Sequence, residues 1–287
     1  MGHQPTLVEI QALRDERYHC TPALRLHTEE DAVAFVDEIG FCFLFGDQSI
    51  EMPSLWAAVC GVHRPVPVPH DDADLGRTWD WKDTLPARGL VHYGKLLRRK
   101  PMLVSLALLP TFYALSPNYG ELDDYLERYA EGRLSHDAKL IYEVLLAEGP
   151  LATTHLRQLA GLPGGGTNAR RFDHALTELQ VELRIVKSGI SDANRWGYAY
   201  VYDLFLRRYP DVPERARRIG TGEAMETLLM RYLRNVVAVP ESAAKRLFDW
   251  EPFEWEPLLA RLAERGALRR QVEIEGLGAD CLLSTGQ

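Results

Sequence analysis

The pattern of apolar and polar positions is most regular between residues 136 and 203, where three helical stretches precede two strand-like stretches. The first and third helices each carry one apolar stripe at helical spacing: Leu140, Ile141, Val144 and Leu145 in the first, and Phe172, Leu176 and Leu179 in the third. The stretches 181–186 and 198–202 are rich in strand formers, and a polar turn at 188–194 joins them as a hairpin. Three helices followed by a hairpin is the order of a winged helix, whose third helix usually enters a DNA major groove.

The same order of patterns recurs between residues 222 and 284, with three helical stretches and a second hairpin. Acidic residues at the start of its third helix, Glu251, Glu254 and Glu256, would repel phosphates, so this repeat is expected to be a packing domain. We therefore predict a mainly α-helical protein with small β wings, built from tandem winged-helix (helix-turn-helix) domains. The expected domains are an N-terminal domain at 1–132, either a divergent winged helix or another fold, a central winged helix at 133–204, a basic linker at 205–221 and a C-terminal winged helix at 222–287.

Composition restricts the class of protein. The net charge of −8 argues against a strongly basic nucleic-acid binder, although two local basic patches occur, at 88–100 and 207–218. No apolar run has the length of a membrane span, and no signal-peptide core begins the chain. The cysteines are scattered and form no CxxC pair, which predicts buried free thiols in a reducing cytoplasm: Cys20, Cys42, Cys60 and Cys281. We expect a cytoplasmic protein that needs no metal and no cofactor.

Two sets of basic residues are candidates for DNA contact. One set lies at the start of the third helix, on the side away from its apolar stripe: Asn168, Arg170, Arg171 and His174. The other set has no acidic residue nearby and could clamp a phosphate backbone: Lys95, Arg98, Arg99 and Lys100. The alternatives are a solvated helix face for the first set and an exposed helix end for the second.

Two further candidates concern chemistry. Trp79, Trp81 and Asp83 could line a pocket in which a base stacks, although tryptophans two residues apart more often anchor a loop on the core. Asp47 follows a short apolar stretch and could orient water or stabilise a positively charged sugar. The alternative for Asp47 is a structural role in a turn with Gly46.

Three short motifs resemble one family. They are the Arg208-Tyr209 pair with Arg215, the Gly149-Pro150-Leu151 opening with Thr153 and Leu156, and the stretch Val272–Gly276. Between about 136 and 284 the chain is similar to the AlkZ/YcaQ family of winged-helix proteins, which includes bacterial DNA glycosylases that unhook interstrand crosslinks and excise bulky alkylated purines. The resemblance implies three winged helices arranged as a C-shaped cradle for duplex DNA.

The resemblance also implies a catalytic motif, Gln-apolar-Gln or Gln-apolar-Asp, followed two residues later by an Asp. The matching residues here are Phe43-Leu44-Phe45, with Asp47 in the position of the final Asp. Phenyl rings cannot hydrogen-bond the attacking water, which leaves two hypotheses. One is a DNA glycosylase-like hydrolase that acts on damaged double-stranded DNA through Asp47. The other is a non-catalytic winged-helix protein, either a DNA-binding regulator or an assembly module.

Overall fold

The computed structural model describes residues 4–68, 71–191 and 199–285, which form two compact units. The first unit combines the chain up to Trp81 with the chain from Gly220 onward, and the second is the continuous segment Lys82–Ile219. Helices predominate and the sheets are small, so the predicted class, mainly α-helical with small β-sheets, is confirmed. The two units differ from the continuous domains expected from the sequence, whose boundaries remain predictions.

The N-terminal segment of the first unit holds α1 (Leu7–Arg17), α2 (Glu29–Ile39), β1 (Phe41–Phe43) and α3 (Leu55–Cys60), and it ends within α4 (Ala73–Ala87). Thr28 caps α2 in a capping box: its hydroxyl accepts the backbone N–H of Asp31, and the Asp31 carboxylate accepts the backbone N–H of Thr28. Gly40 ends α2 with φ of 82°, a conformation that favours glycine. Ser54 caps α3 by accepting the N–H of Ala57.

The second unit continues from α4 through a run of short elements: β2 (His92–Gly94), β3 (Met102–Val104), α5 (Leu109–Tyr113), α6 (Tyr125–Ala130), α7 (His136–Glu148), β4 (Leu151–Ala152), α8 (Thr153–Leu159), α9 (Gly166–Val181), β5 (Ile185–Ser191), β6 (Ala199–Leu204), α10 (Phe205–Arg208) and α11 (Val212–Ala216). Strands β2 and β3 form an antiparallel hairpin in which Tyr93 lies opposite Leu103.

The core of the second unit forms where the stripes of α7 and α9 meet. Ile141 and Leu145 of α7 pack in one apolar cluster with Phe172 and Leu179 of α9, as the helical spacing predicts. The sheet in the order β4-β6-β5 continues this core, and Ile185 lies opposite Leu204 in it. Three helices therefore precede the predicted hairpin, of which residues 192–198 lie outside the described part of the chain.

Helix α9 begins at Gly166 with Gly165 as its N-cap and no side-chain cap. The predicted start of the first strand at residue 181 is wrong. The first strand begins at Ile185 and not at Val181, because α9 continues through Val181 and a turn follows it. Leu183 in that turn has φ of 53°, which is incompatible with a strand.

The C-terminal segment of the first unit repeats the same order of elements: α12 (Thr221–Val236), β7 (Ala238–Pro240), α13 (Glu241–Phe248), α14 (Pro252–Glu264), β8 (Leu268–Ile274) and β9 (Gly278–Ser284). Its sheet has the order β7-β9-β8, with Val272 opposite Cys281. Buried Arg14 of α1 joins this segment to the N-terminal one, because its guanidinium donates to the carbonyls of Val236 and Ala238 at 2.9 and 2.7 Å. Within the described ranges, no helix combines the length and apolar character needed to cross a membrane.

Candidate functional site

A pocket of about 740 Å³ lies in the first unit, beside the turn that follows β1. Its wall combines the end of α1, the start of α3 and the proline-rich loop after α3: Gln11, Tyr18, Gly46, Asp47, Gln48, Ile50, Glu51, Met52, Ser54, Trp56, Ala57, His63, Arg64, Pro65 and Val66. Two carboxylates, those of Asp47 and Glu51, therefore line a pocket that also presents the aromatic rings of Tyr18 and Trp56.

Asp47 both lines this pocket and closes a tight turn. Its Oδ1 accepts the backbone N–H of Ser49 at 2.8 Å and the Ser49 hydroxyl at 2.5 Å. This is an Asx turn, in which the side chain takes the part of a backbone carbonyl. The turn fixes the orientation of the Asp47 carboxylate at the edge of the pocket.

Glu51 is the better anchored of the two carboxylates. Its Oε2 accepts from Arg14 Nη1 at 2.8 Å, and its Oε1 accepts from the Tyr18 hydroxyl at 3.0 Å. Both donors are buried, and burial together with the charge of Glu51 raises the pKa of Tyr18 well above its ordinary value. The hydroxyl of Tyr232 also donates to the Glu51 carbonyl, so backbone and side chain are both held.

Sequence reasoning missed Glu51 as a functional candidate because its partners are distant in the chain. Arg14 precedes Glu51 by 37 residues. The only sign in α1 that Arg14 points inward is that it lies four residues after buried Ile10, on the same helix face. Only the fold shows that a buried guanidinium faces this particular carboxylate. An acidic residue just after a tight turn is otherwise a common surface feature.

The proline-rich loop that forms one wall is held by Arg64. Its guanidinium lies 4.5 Å from the centre of the Trp56 ring and makes two parallel hydrogen bonds of 2.9 Å with Asp72. These hydrogen bonds lower the pKa of Asp72 to about 2. The aromatic wall at Trp56 is therefore fixed on the face that Arg64 covers.

The two phenylalanines in the motif positions pack against apolar neighbours, Phe43 fully buried and Phe45 half-buried. Phe43 is only 1% exposed, and the Phe45 ring lies 6.2 Å from that of Trp56 and 5.6 Å from that of Trp79. Neither phenylalanine lines the pocket, to which this part of the chain contributes only from Gly46 onward. The motif positions therefore contribute apolar packing where the family pattern has amides.

The predicted base pocket at Trp79, Trp81 and Asp83 is not assembled. These residues lie on α4, where side chains two residues apart point to opposite sides. Trp79 is 37% exposed and contacts Phe45, whereas Trp81 is buried with Arg77 over its ring. The Asp83 carboxylate accepts hydrogen bonds from the ammonium groups of Lys82 and Lys187.

Three of the four candidates on α9 lie on the side away from the buried stripe, whereas Asn168, four residues before Phe172, lies on the stripe's own side. Arg170, Arg171 and His174 are exposed, and Asn168 is half-buried. Arg171 makes two hydrogen bonds, of 2.8 and 2.6 Å, with Asp137 of α7, so its charge is largely neutralised. The field available to a phosphate on this face therefore comes mainly from Arg170.

The second basic set lies in the turn between β2 and β3 and not at a helix end. Arg98 and Arg99 are exposed, with φ of 53° and 57°, and Lys100 is half-buried. Lys95 Nζ donates to Thr177 Oγ1 of α9 at 3.0 Å, and burial lowers its pKa. The turn between β2 and β3 therefore lies next to α9, so the two sets of basic residues, which were predicted separately, lie in one region of the second unit.

The basic linker contributes less positive charge than its sequence indicates. Arg208 Nη2 donates to the carbonyls of Pro86 and Ala87 at 3.1 and 2.9 Å, which satisfies the C-terminal end of α4. The other arginines pair with nearby acids: Arg207 with Asp203, Arg215 with Asp211, and Arg217 and Arg218 with Glu214. Part of the motif that carried the family resemblance thus has a structural role.

Metal binding finds no support in the part of the chain that the structure describes, where no three His, Cys, Asp or Glu side chains are grouped suitably. The expected free cysteines are observed, and all four are buried.

Comparison with known proteins supplies a family model and a solved structure. The family model, described as AlkZ related, matches residues 26–249. The solved structure is the DNA glycosylase AlkZ of Streptomyces sahachiroi, with a TM-score of 0.56 and 14% identity, covering 99% of this chain and 71% of that one. At this identity the likeness shows the fold alone. A comparison with curated proteins gives no match.

Proposed function

Because the chain belongs to the AlkZ-related family, as its motifs predicted, we propose that it is a DNA glycosylase-like protein that binds damaged duplex DNA. The proposed reaction is hydrolysis of the N-glycosidic bond of a modified purine that has left the base stack. The observation that carries the proposal is the pocket with two oriented carboxylates, Asp47 and Glu51. A volume of about 740 Å³ is in the range of pockets that hold a molecule larger than a single base.

The proposed architecture is a set of winged helices. The order of α7, α8, α9, β5 and β6 supports one such domain, and the repetition of this order in the C-terminal segment supports another. In this proposal the central domain presents α9 to the duplex, together with the turn between β2 and β3. Arg170, Arg98 and Arg99 would contact phosphates, which position the protein without reading sequence.

The proposed chemistry relies on a negatively charged carboxylate that is already oriented in the free protein. When a purine leaves, the sugar develops positive charge, and a fixed carboxylate stabilises that charge. Glu51 suits this role, because Arg14 and Tyr18 hold its two oxygens in place. Asp47, held by Ser49, is proposed to orient the attacking water in the absence of motif glutamines.

The second candidate is a winged-helix protein without catalysis, either a DNA-binding regulator or an assembly module. The phenylalanines at 43 and 45 favour it, since no amide is available at either motif position and both rings pack against apolar neighbours. A glycosylase and a DNA-binding regulator share the DNA-binding surface and differ in the pocket, whereas an assembly module would show no salt-dependent DNA affinity. Base release and DNA affinity must therefore be measured separately.

The test measures base release from duplex DNA treated with a bulky alkylating agent or a crosslinker, with protein in excess. We expect release by the wild type and a loss of ~10²-fold or more in the rate with Asp47→Asn or Glu51→Gln. Each substitution nearly preserves shape, and Glu30→Gln, an exposed acid on α2, serves as the matched control. If no base is released while the protein still binds DNA at low salt, the non-catalytic candidate is favoured.

A further inference from the structure

Three arginines of the first unit lie together, and within its described residues none of them pairs with a carboxylate. Arg231 and Arg234 occupy positions i and i+3 near the end of α12, so their side chains are neighbours on the helix surface. Arg17, in the last turn of α1, donates to the backbone carbonyl of Arg234, which brings its guanidinium to the same helix end. We call these three residues the arginine cluster.

The hydrogen bonds of the fold use few of the donors in this cluster. Arg231 Nη1 donates to the backbone carbonyl of Glu38, near the C-terminal end of α2, at 2.6 Å, whereas the Glu38 carboxylate lies 3.7 Å from Nε2 of His19. A guanidinium has five N–H groups. In the described part of the chain, those of Arg17 and Arg231 each make one hydrogen bond and that of Arg234 makes none. Most donors therefore remain available to a ligand.

The positive charges of the cluster exceed the negative charge around them. The C-terminal ends of α2 and α12 each act as roughly −0.5 charge, so together they offset about one of the three arginines. Glu16 attracts Arg17, but less strongly than Arg234 repels it. Burial, followed by repulsion from Arg234, lowers the pKa of both Arg17 and Arg231. Net positive charge therefore remains at this end of α12.

We propose that the arginine cluster is a binding site for a phosphate group. Several guanidinium groups that converge without a carboxylate offer paired N–H donors to phosphate oxygens, and phosphate would relieve their mutual repulsion. Elsewhere in the same unit a carboxylate fills this role, since Arg64 pairs with Asp72 and Arg265 pairs with Glu226. The site is separate from the proposed DNA surface on α9 and the turn between β2 and β3, which belongs to the second unit.

The access of a ligand to this site differs among the three residues. Arg234 is exposed, whereas Arg17 and Arg231 are half-buried beside it. A phosphate can therefore approach Arg234 from solvent and reach the two arginines that the fold already holds by their carbonyl bonds. Fixed donors lose less conformational freedom on binding, which favours affinity.

Two sources offer such a phosphate: the backbone of duplex DNA, or a free phosphate group such as that of a nucleotide. Helix α1 links the site to the pocket, because Arg17 directly precedes Tyr18 of the pocket wall. The inference does not rest on the proposed hydrolysis, because phosphate binding is measured without base release. A failure of base release would therefore leave this inference standing.

The first experiment measures the affinity of the full chain for undamaged duplex DNA at several salt concentrations. Arg234→Gln removes one charge and no hydrogen bond of the described fold, so the variant should fold normally. If DNA supplies the phosphate, the slope of log affinity against log salt should fall by about 1. Arg265→Gln removes the same charge from an arginine paired with Glu226 and should leave the slope unchanged.

The second experiment compares thermal unfolding in sodium phosphate with that in sodium chloride at equal ionic strength and pH. A ligand that binds the folded chain raises Tm. We expect phosphate to raise Tm above its value in chloride for the wild type and Arg265→Gln, and this excess should be lost in Arg234→Gln. Arg234→Lys keeps the charge and should recover most of it, which loss of a purely structural arginine would not predict.

The two experiments together identify the source. A smaller salt slope in Arg234→Gln identifies the DNA backbone as the ligand. An unchanged slope with loss of the phosphate effect on Tm identifies a free phosphate group. An unchanged slope together with an unchanged phosphate effect overturns the proposal, and so do equal losses in Arg234→Gln and Arg265→Gln.

Discussion

His92, in strand β2, allows a quantitative prediction about acid stability. The ring is buried against Phe205 and Tyr209, at centroid distances of 5.9 and 5.8 Å. Among the described residues neither ring nitrogen has a hydrogen-bond partner, and burial lowers the pKa of His92 to about 3. Protonation of His92 in the folded state is therefore strongly disfavoured.

This pKa determines how stability changes with pH. Below the ordinary histidine pKa of about 6.5, the unfolded chain binds a proton at His92 that the folded chain does not bind. The free energy of unfolding therefore falls as pH decreases below 6.5 and continues to fall towards pH 3. Between pH 7 and pH 5, His92 alone accounts for a loss of about 2 kcal/mol.

The comparison uses His92→Leu, which has a similar volume and no ionisable group. Urea unfolding, followed by circular dichroism at pH 7 and pH 5, should show that the wild type loses about 2 kcal/mol more than the variant. His155→Gln, at an exposed position on α8, is the matched control and should behave as the wild type. Equal losses in the wild type and His92→Leu would refute the assignment of a buried, neutral ring.

Two further predictions concern the core and the DNA surface. Phe172→Ala should lower the free energy of unfolding by roughly 3–5 kcal/mol in urea titrations, because the Phe172 ring is fully buried between α7 and α9, whereas Arg170→Ala should change it by less than about 0.5 kcal/mol. The double substitution Arg98→Ala and Arg99→Ala should reduce the slope of log affinity against log salt by about 2 on duplex DNA, and an unchanged slope would remove the turn between β2 and β3 from the proposed surface.

Helical periodicity was sufficient to locate the core of the second unit. The stripes of α7 and α9 were visible in the sequence because each helix buries one face, and burial requires apolar residues at that spacing. Boundaries were harder, since the start of α9 depends on Gly165 and the start of β5 on the left-handed Leu183. Neither conformation is determined by the apolar pattern.

The polar clusters could not be predicted, because their members come from distant parts of the chain. The carboxylate of Glu51 meets Arg14, and that of Asp83 meets Lys187, which follows it by 104 residues. Trp79 and Trp81 were grouped as neighbours in sequence, although the helix directs them to opposite sides. Adjacent positions in a sequence become a site only when the backbone turns them to the same side.

The link between Arg14 and the carbonyls of Val236 and Ala238 has a consequence for the order in which the chain acquires its structure during synthesis. The ribosome must produce the 138 residues from Lys82 to Ile219 before the C-terminal half of the first unit can emerge. At 5–20 residues per second this takes roughly 7 to 28 s. The continuous second unit can fold in that interval, while α1 still lacks the carbonyls that Arg14 will bind. We therefore expect the nascent N-terminal segment to wait, incompletely folded, until the C-terminal segment that completes its unit has been synthesised.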